Sequence, residues 1–138
     1  MSPISKQNGL GWTTCAVDDS AGSAQNIRND LTNLAMATPR AVQDVTGLDK
    51  SALERILNLA DASGTLNGVF NTAANLGHAV FKTISSTSVL RTITNTISSQ
   101  TLAIEAIVTD YPLTRSAAGE FTYAVPYVLA DGTVPTWS

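Results

Sequence analysis

The chain has 138 residues, 43% of them apolar and only 14% charged, with a formal net charge of −3. One domain of this length buries roughly two-thirds of the surface its unfolded chain exposes, and apolar content this ordinary excludes a disordered tail. The eight basic residues are scattered, no two closer than five positions, which excludes a basic patch for gripping nucleic acid.

In chain order, residues 1–11 are polar and glycine-rich and read as a mobile arm or a docking segment, without the apolar stretch of a secretory signal. Residues 12–17 carry the β-branched and aromatic residues of a strand. Asp18-Asp19-Ser20-Ala21-Gly22 follows with turn chemistry, acids first and then a glycine for positive φ. Residues 27–37 predict a second strand, imperfect because of Asn29, Asp30 and Asn33. Residues 38–48 read as a long extended loop, because Pro39 lacks a ladder donor and biases Thr38 to an extended backbone. Val42, Val45 and Leu48 are apolar residues that a solvated loop has no reason to carry. They pack either on the parent domain or on a neighbouring subunit.

Ser51-Ala52-Leu53-Glu54 has the spacing of a capping box, and Leu53, Ile56, Leu57 and Ala60 follow at helical spacing. Together they predict a helix with one apolar stripe for core or interface packing. Residues 65–70 predict a strand whose Asn67-Gly68 has flanks too short for a hairpin, which favours a bulge or a close approach at Gly68. Leu76, Val80, Phe81 and Ile84 predict a second short helix over residues 73–84, weakened by Gly77. The remainder alternates as three long strands, 89–98, 102–114 and 120–129, whose adjacency favours antiparallel pairing. Ser116-Ala117-Ala118-Gly119 makes a hairpin loop between the last two. Pro112 and Pro126 each remove a ladder donor and belong at an edge or a bulge. Residues 130–138 are a turn at Asp131-Gly132 and an apolar tail in which Trp137 docks.

No chemistry emerges from this pattern. Cys15 and His78 are the only residues of their kinds, too few for a closed zinc site or an internal disulfide. Cys15 reads as a small buried hydrophobe and His78 as a partly solvated helix-face residue. Gly9-Leu10-Gly11 lacks the third glycine of a phosphate loop. Asp18-Asp19 lacks the alternating spacing of a calcium loop, and Glu105 and Asp110 stand at odd separation on one strand. The sequence predicts no enzyme, no cofactor and no metal. The uncharged stretch 62–81 contains asparagines and glycines and is not a membrane span. The low charge suits a surface hidden at subunit contacts.

Three long strings resemble the major tail tube proteins of long-tailed phages that infect actinobacteria. They are the segment from Thr38-Pro39-Arg40 through Val42-Gln43-Asp44-Val45-Thr46-Gly47-Leu48 to Glu54-Arg55, the segment Gly64-Thr65-Leu66-Asn67-Gly68-Val69-Phe70, and the closing Val128-Leu129-Ala130-Asp131-Gly132-Thr133-Val134-Pro135-Thr136-Trp137. The resemblance implies a mainly β, antiparallel β-sandwich or barrel, here with one flanking helix, a second short helix and a long extended loop. It implies a single domain that forms rings, usually hexameric, stacked into a tube through which DNA passes as a transient, non-specific passenger. Partners would be further copies of the chain and other tail proteins (tape measure, terminator, distal tail), with no membrane. Ring-to-ring contacts would fall on Pro39, Arg40, Val42, Asp44, Val45, Leu48, Val134 and Trp137. A capsid decoration or tail-terminator protein is the nearest alternative. A carbohydrate-binding module is remote, since it needs an exposed platform from Trp12, Tyr111, Tyr123, Tyr127 and Trp137, whose strand positions suit core packing better.

Overall fold

The computed structural model describes residues 6–138. The first five residues of the N-terminal arm lie outside the described residues. Ten strands follow in order: β1 (Trp12–Asp18), β2 (Ala24–Asn26), β3 (Leu31–Ala37), β4 (Arg40–Asp44), β5 (Arg55–Ala60), β6 (Ser63–Val69), β7 (Arg91–Ile97), β8 (Gln100–Val108), β9 (Leu113–Arg115) and β10 (Phe121–Leu129). One helix, α1 (Gly77–Phe81), lies between β6 and β7. Eight strands form one antiparallel sheet in the order β2-β1-β7-β8-β10-β6-β3, with β9 also on β10; β4 and β5 pair only with each other.

The sheet cannot be flat. Its outermost strands β2 and β3 are consecutive in the chain and joined by residues 27–30 alone. Such a link reaches at most roughly 18 Å. Six strand-to-strand steps of a flat sheet would separate these edges by roughly 29 Å. The sheet therefore rolls, and one face of each long strand turns onto a common core. Cys15 and Val17 of β1, Ile93 of β7, Leu102, Ile104 and Ala106 of β8, Tyr123, Val125 and Tyr127 of β10 and Leu66 of β6 meet there with Val80 and Phe81 of α1. This is the antiparallel pairing that the alternating pattern implied, in a mainly β architecture consistent with the sandwich that the resemblance implied.

Three polar groups sit inside. Arg91 donates to the carbonyls of Asp18 and Val80, both at 2.8 Å, and to the Thr83 hydroxyl at 3.1 Å. Burial pushes its guanidinium down from the ordinary arginine value, and Asp19 and Asp18 oppose that shift. Asn95 accepts from the Trp12 indole at 3.2 Å. Asp30, in the link that closes the sheet, accepts from the Gly77 amide at 2.8 Å and the Asn71 side chain at 2.7 Å. It thereby ties α1 to the closure.

The close approach expected at Gly68 is real. Gly68 and Gly64 of β6 stand opposite Tyr123 and Tyr127 of β10. A Cβ on either glycine would overlap the facing tyrosine ring and a backbone carbonyl, Asp30 for Gly68 and Ala35 for Gly64. The bulge itself falls on β3, where the register shifts between Leu31 and Asn33. Pro126 also sits where its missing donor is harmless. Its carbonyl accepts from Thr109 just as β8 breaks away from β10, before β9 resumes the pairing at Leu113.

Four expectations are corrected. The helix predicted over 51–60 is instead a loop and strand β5, and the capping box does not form, because the Glu54 amide donates to the Thr46 hydroxyl. The loop 38–48 contains strand β4, which Pro39 permits because it stands just before the strand and not inside it. The helix over 73–84 shrinks to α1, since Asn75 takes φ 63° and Asn71 and Asp30 hold the amides of Ala73 and Gly77. The strands 27–37 and 102–114 are each interrupted, the first by a 3-10 turn at Arg28–Asp30 and the second over residues 109–112.

Gly64→Ala is expected to destabilise the fold by about 1–3 kcal/mol through overpacking against backbone, whereas Gly9→Ala, which meets nothing within 4 Å, stays neutral. Urea unfolding of the two variants measures the difference.

Candidate assembly surface

Strands β4 and β5 form a two-stranded ribbon that leaves the sheet between β3 and β6. Its root is closed by the Asp61 amide donating to the Pro39 carbonyl at 3.1 Å and by the Arg40 Nε donating to the Asn58 carbonyl at 2.8 Å. The register sets Val42 opposite Leu57, Gln43 opposite Ile56 and Asp44 opposite Arg55. Strand alternation then puts Val42 and Leu57 on one face and Gln43 and Ile56 on the other, while the register shifts between Arg40 and Val42, so that β5 has an extra residue between Leu57 and Ala60.

The tip is held by polar side chains. The Asp44 carboxylate accepts from both the amide and the hydroxyl of Thr46, and the Val45 amide donates to the Glu54 carbonyl at 3.0 Å. The Thr46 hydroxyl bond, followed by the amide bond, holds the Asp44 carboxyl below its ordinary value. Asp44 is thus spent on the turn and makes no ion pair with Arg55 across the ribbon. The only salt bridge among the described residues joins Lys50 and Asp49 at 4.0 Å.

Apolar side chains cover this ribbon without being buried. Val42, Val45, Leu48, Leu53, Ile56, Leu57 and Leu59 are all exposed, Leu48 fully and Leu59 at 91%. An isolated two-stranded ribbon is marginal in water, and burying a leucine fully contributes about 1.5–3 kcal/mol. The ribbon therefore has the composition of an element completed by another surface. Residues 40–55 carry three basic and three acidic side chains, so the ribbon is balanced in charge.

Six of the eight sequence-predicted contact residues, Pro39, Arg40, Val42, Asp44, Val45 and Leu48, lie on this ribbon or at its root, and all are exposed. Val134 joins them from the C-terminal tail, lining a groove with Arg40, Leu57, Asn58, Leu59 and Ala60. Trp137 stands apart on β8, opposite Leu102, beside Gln7, Ile97, Ser98 and Gln100. The register still places it at the same end of the sheet. The ribbon leaves beside Val128 of β10, and β8 runs from its Ala106–Leu129 pairing beyond that point to Leu102. The sequence missed Leu59 and misread Leu53, Ile56 and Leu57, which it placed on a helix. The available signal was the period-two pair Leu57 and Leu59.

The other singled-out groups are structural. Cys15 is fully buried, and burial pushes its thiol up to about 12. His78 is half-buried on α1, with its Nδ1 3.2 Å from the Tyr111 hydroxyl and its ring 4.7 Å from that of Phe70. Asp19 caps its turn by accepting from the amides of Ala21 and Ser23. Tyr123 and Tyr127 are buried and Tyr111 packs on Phe81, so these aromatics form core and not a platform. No group of three or more His, Cys, Asp or Glu that could hold a metal ion occurs among the described residues. No helix among them is long and apolar enough to cross a membrane.

A rolled antiparallel sheet with a protruding ribbon defines the class. No protein-family model matches the chain, and no curated protein does. Among solved structures, the fold is similar to that of a chain in the tail of an empty gene transfer agent particle, obtained by helical refinement with C6 symmetry. The TM-score is 0.71 at 20% identity, over 96% of this chain and 98% of that one. A chain in the virion of a native gene transfer agent particle is similar at TM-score 0.70 and 19% identity, over 95% of this chain and 99% of that one.

Thr46→Val removes the hydroxyl that holds the Glu54 amide. Hydrogen exchange should accelerate at Glu54 and Val45 while amides of β7 and β8 keep their protection. Cys15 should resist a thiol reagent such as DTNB at pH 8 until denaturant unfolds the chain.

Proposed function

We propose that this chain is a virion structural protein, the repeating subunit of a tail tube. Copies join into rings of six, and rings stack coaxially into a hollow conduit for DNA. The observation that carries this reading is the exposed apolar ribbon on a fold shared with a chain of a sixfold, helically arranged tail. A heterologous contact of this kind, in which a protruding element meets a different surface on the next copy, does not close on itself and builds filaments. Pro39, Arg40, Val42, Asp44, Val45 and Leu48 are assigned to the contact between rings, together with Leu57, Leu59 and Val134. The resemblance noted in the sequence narrows the source to long-tailed phages of actinobacteria. Other tail components, a tape measure, a terminator and a distal tail protein, are the further partners.

The net charge of −3 fits a conduit that does not retain its passenger. Phosphates are repelled by an acidic wall and gripped by a basic one. The subunit needs no catalytic group for this role, and its buried thiol and its half-buried histidine are both used in packing.

Negative-stain microscopy of the concentrated protein tests the reading. Hollow tubes support it, single rings favour a terminator or decoration protein instead, and strict monomers overturn it. Leu57→Glu combined with Leu59→Glu should abolish tubes. Because both side chains are exposed, the stability of the monomer should change by no more than about 0.5 kcal/mol per site.

A further inference from the structure

The C-terminal tail is held on the sheet by a short clip. β7 flanks β8 along its length, but β10 reaches β8 only over Ala106–Val108, so the first half of β8 has a second edge that no strand covers. The last two residues occupy part of it. The Ser138 amide donates to the Thr101 carbonyl and the Thr101 amide to the Ser138 carbonyl, both at 2.8 Å, and Leu102 stands opposite Trp137.

The rest of the tail is tied to itself. After the Ala130 amide donates to the Glu105 carbonyl at 3.0 Å, the Asp131 carboxylate accepts from the Thr133 amide and hydroxyl, and the Thr136 hydroxyl donates to the Val134 carbonyl. Gly132, between Asp131 and Thr133, takes the positive φ of 78° that the turn requires. Trp137 remains 47% exposed. Ala103 points its backbone to the same side as Thr101 and Glu105, yet among the described residues it takes no backbone partner there. The clip stops one step short because residues 131–136 loop out between the Ala130–Glu105 bond and Trp137.

We propose that this clip is exchanged between copies in the assembly: residues 136–138 of one subunit pair with Thr101–Ala103 of β8 in the adjacent subunit. The inference rests on the self-assembly reading above and names one of its contacts. A second copy offers the same segment, so every bond the structure shows is reproduced between chains, as in domain swapping. A tail arriving from outside is freed from the turn at Glu105, so its pairing can extend to Thr136 opposite Ala103. Neighbours in a ring would hold the tail and the open edge at high effective concentration.

Disulfide trapping tests this. Thr101 and Ser138 exchange both backbone bonds, an arrangement with Cα atoms about 5.5 Å apart, within the range of a disulfide. Cys15 is buried and gives no background. Tubes of the chain carrying both Thr101→Cys and Ser138→Cys are oxidised and run under non-reducing, denaturing conditions. A mixture of the two single variants, in which no disulfide within a chain can form between these positions, is treated alike. A ladder of covalent multimers from the double variant, with dimers from the mixture, is the expected result. Tubes whose disulfide stays within one chain, with no dimers from the mixture, overturn the exchange and leave the tail tube reading standing. A wild-type chain that stays monomeric overturns both. Ala103→Cys with Thr136→Cys carries the same readout one register step away if the first pair impairs assembly.

Discussion

Closure of the sheet by four residues is the constraint on which the rest of this structure depends. Residues 27–30 have to bridge edges that a flat sheet would hold too far apart, so the roll is a consequence of chain connectivity. The corner is crowded, and its crowding explains several local choices. Asp30 satisfies the Gly77 amide that opens α1, and Gly68 leaves room for both the Asp30 carbonyl and the Tyr123 ring. A buried carboxylate is costly unless hydrogen-bonded, and here each oxygen has a close donor at 2.7 or 2.8 Å. Arg91 does the same work across the core, fastening the end of β1 to the carbonyl of Val80. The two buried charged groups thus hold α1 against the sheet from opposite sides of the helix, one at its first amide and one near its end.

Rolling the sheet also gives the molecule a direction. The ribbon, Trp137 and the β7–β8 turn gather at one end by register, while the Ser116–Gly119 loop between β9 and β10 lies at the other. The amide of Ser98, in that turn, donates to the Gly11 carbonyl at 2.7 Å, which brings Gly11 and the start of β1 to the ribbon's end as well. The two ends are unlike, which suits head-to-tail stacking and not a symmetric dimer.

What could be read from the sequence followed from burial on one side of a strand. Tyr123, Val125 and Tyr127 alternate with Thr122, Ala124 and Pro126, and the structure buries the first set. Turn chemistry was equally local, as at Asp19 and Gly22. The ribbon was harder because its apolar residues stay exposed, so no core contact within the chain sets their spacing. Leu53, Ile56, Leu57 and Ala60 fit helical spacing, and nothing within residues 51–60 decides against it. The decision comes from β4, whose Val42 and Gln43 supply the partner positions. The residues proposed for the contact stood out as a group because valine and leucine recur in a stretch read as an extended loop. The two roles of Asp44 and Glu54 in pinning the tip were not, since they depend on a turn that the helix reading had erased.

The ribbon and the tail share one physical logic. Each is secondary structure left incomplete within a single chain: β4 and β5 have no third strand, and the open edge of β8 has only two residues of tail along it. Incomplete edges in a soluble protein are usually blunted by charge or covered, because they invite pairing with other chains. This chain leaves its ribbon balanced in charge and apolar and covers β8 with a clip of two backbone bonds. Neither device is strong enough to commit a dilute subunit to a partner, since a net backbone bond contributes only about 0.5–1.5 kcal/mol. In the proposed tube the same weak contacts become cooperative, because each subunit added meets several unfinished edges at once. On that reading chain economy and ordered polymerisation have a common origin: the fold saturates its core and leaves its edges to the next copy.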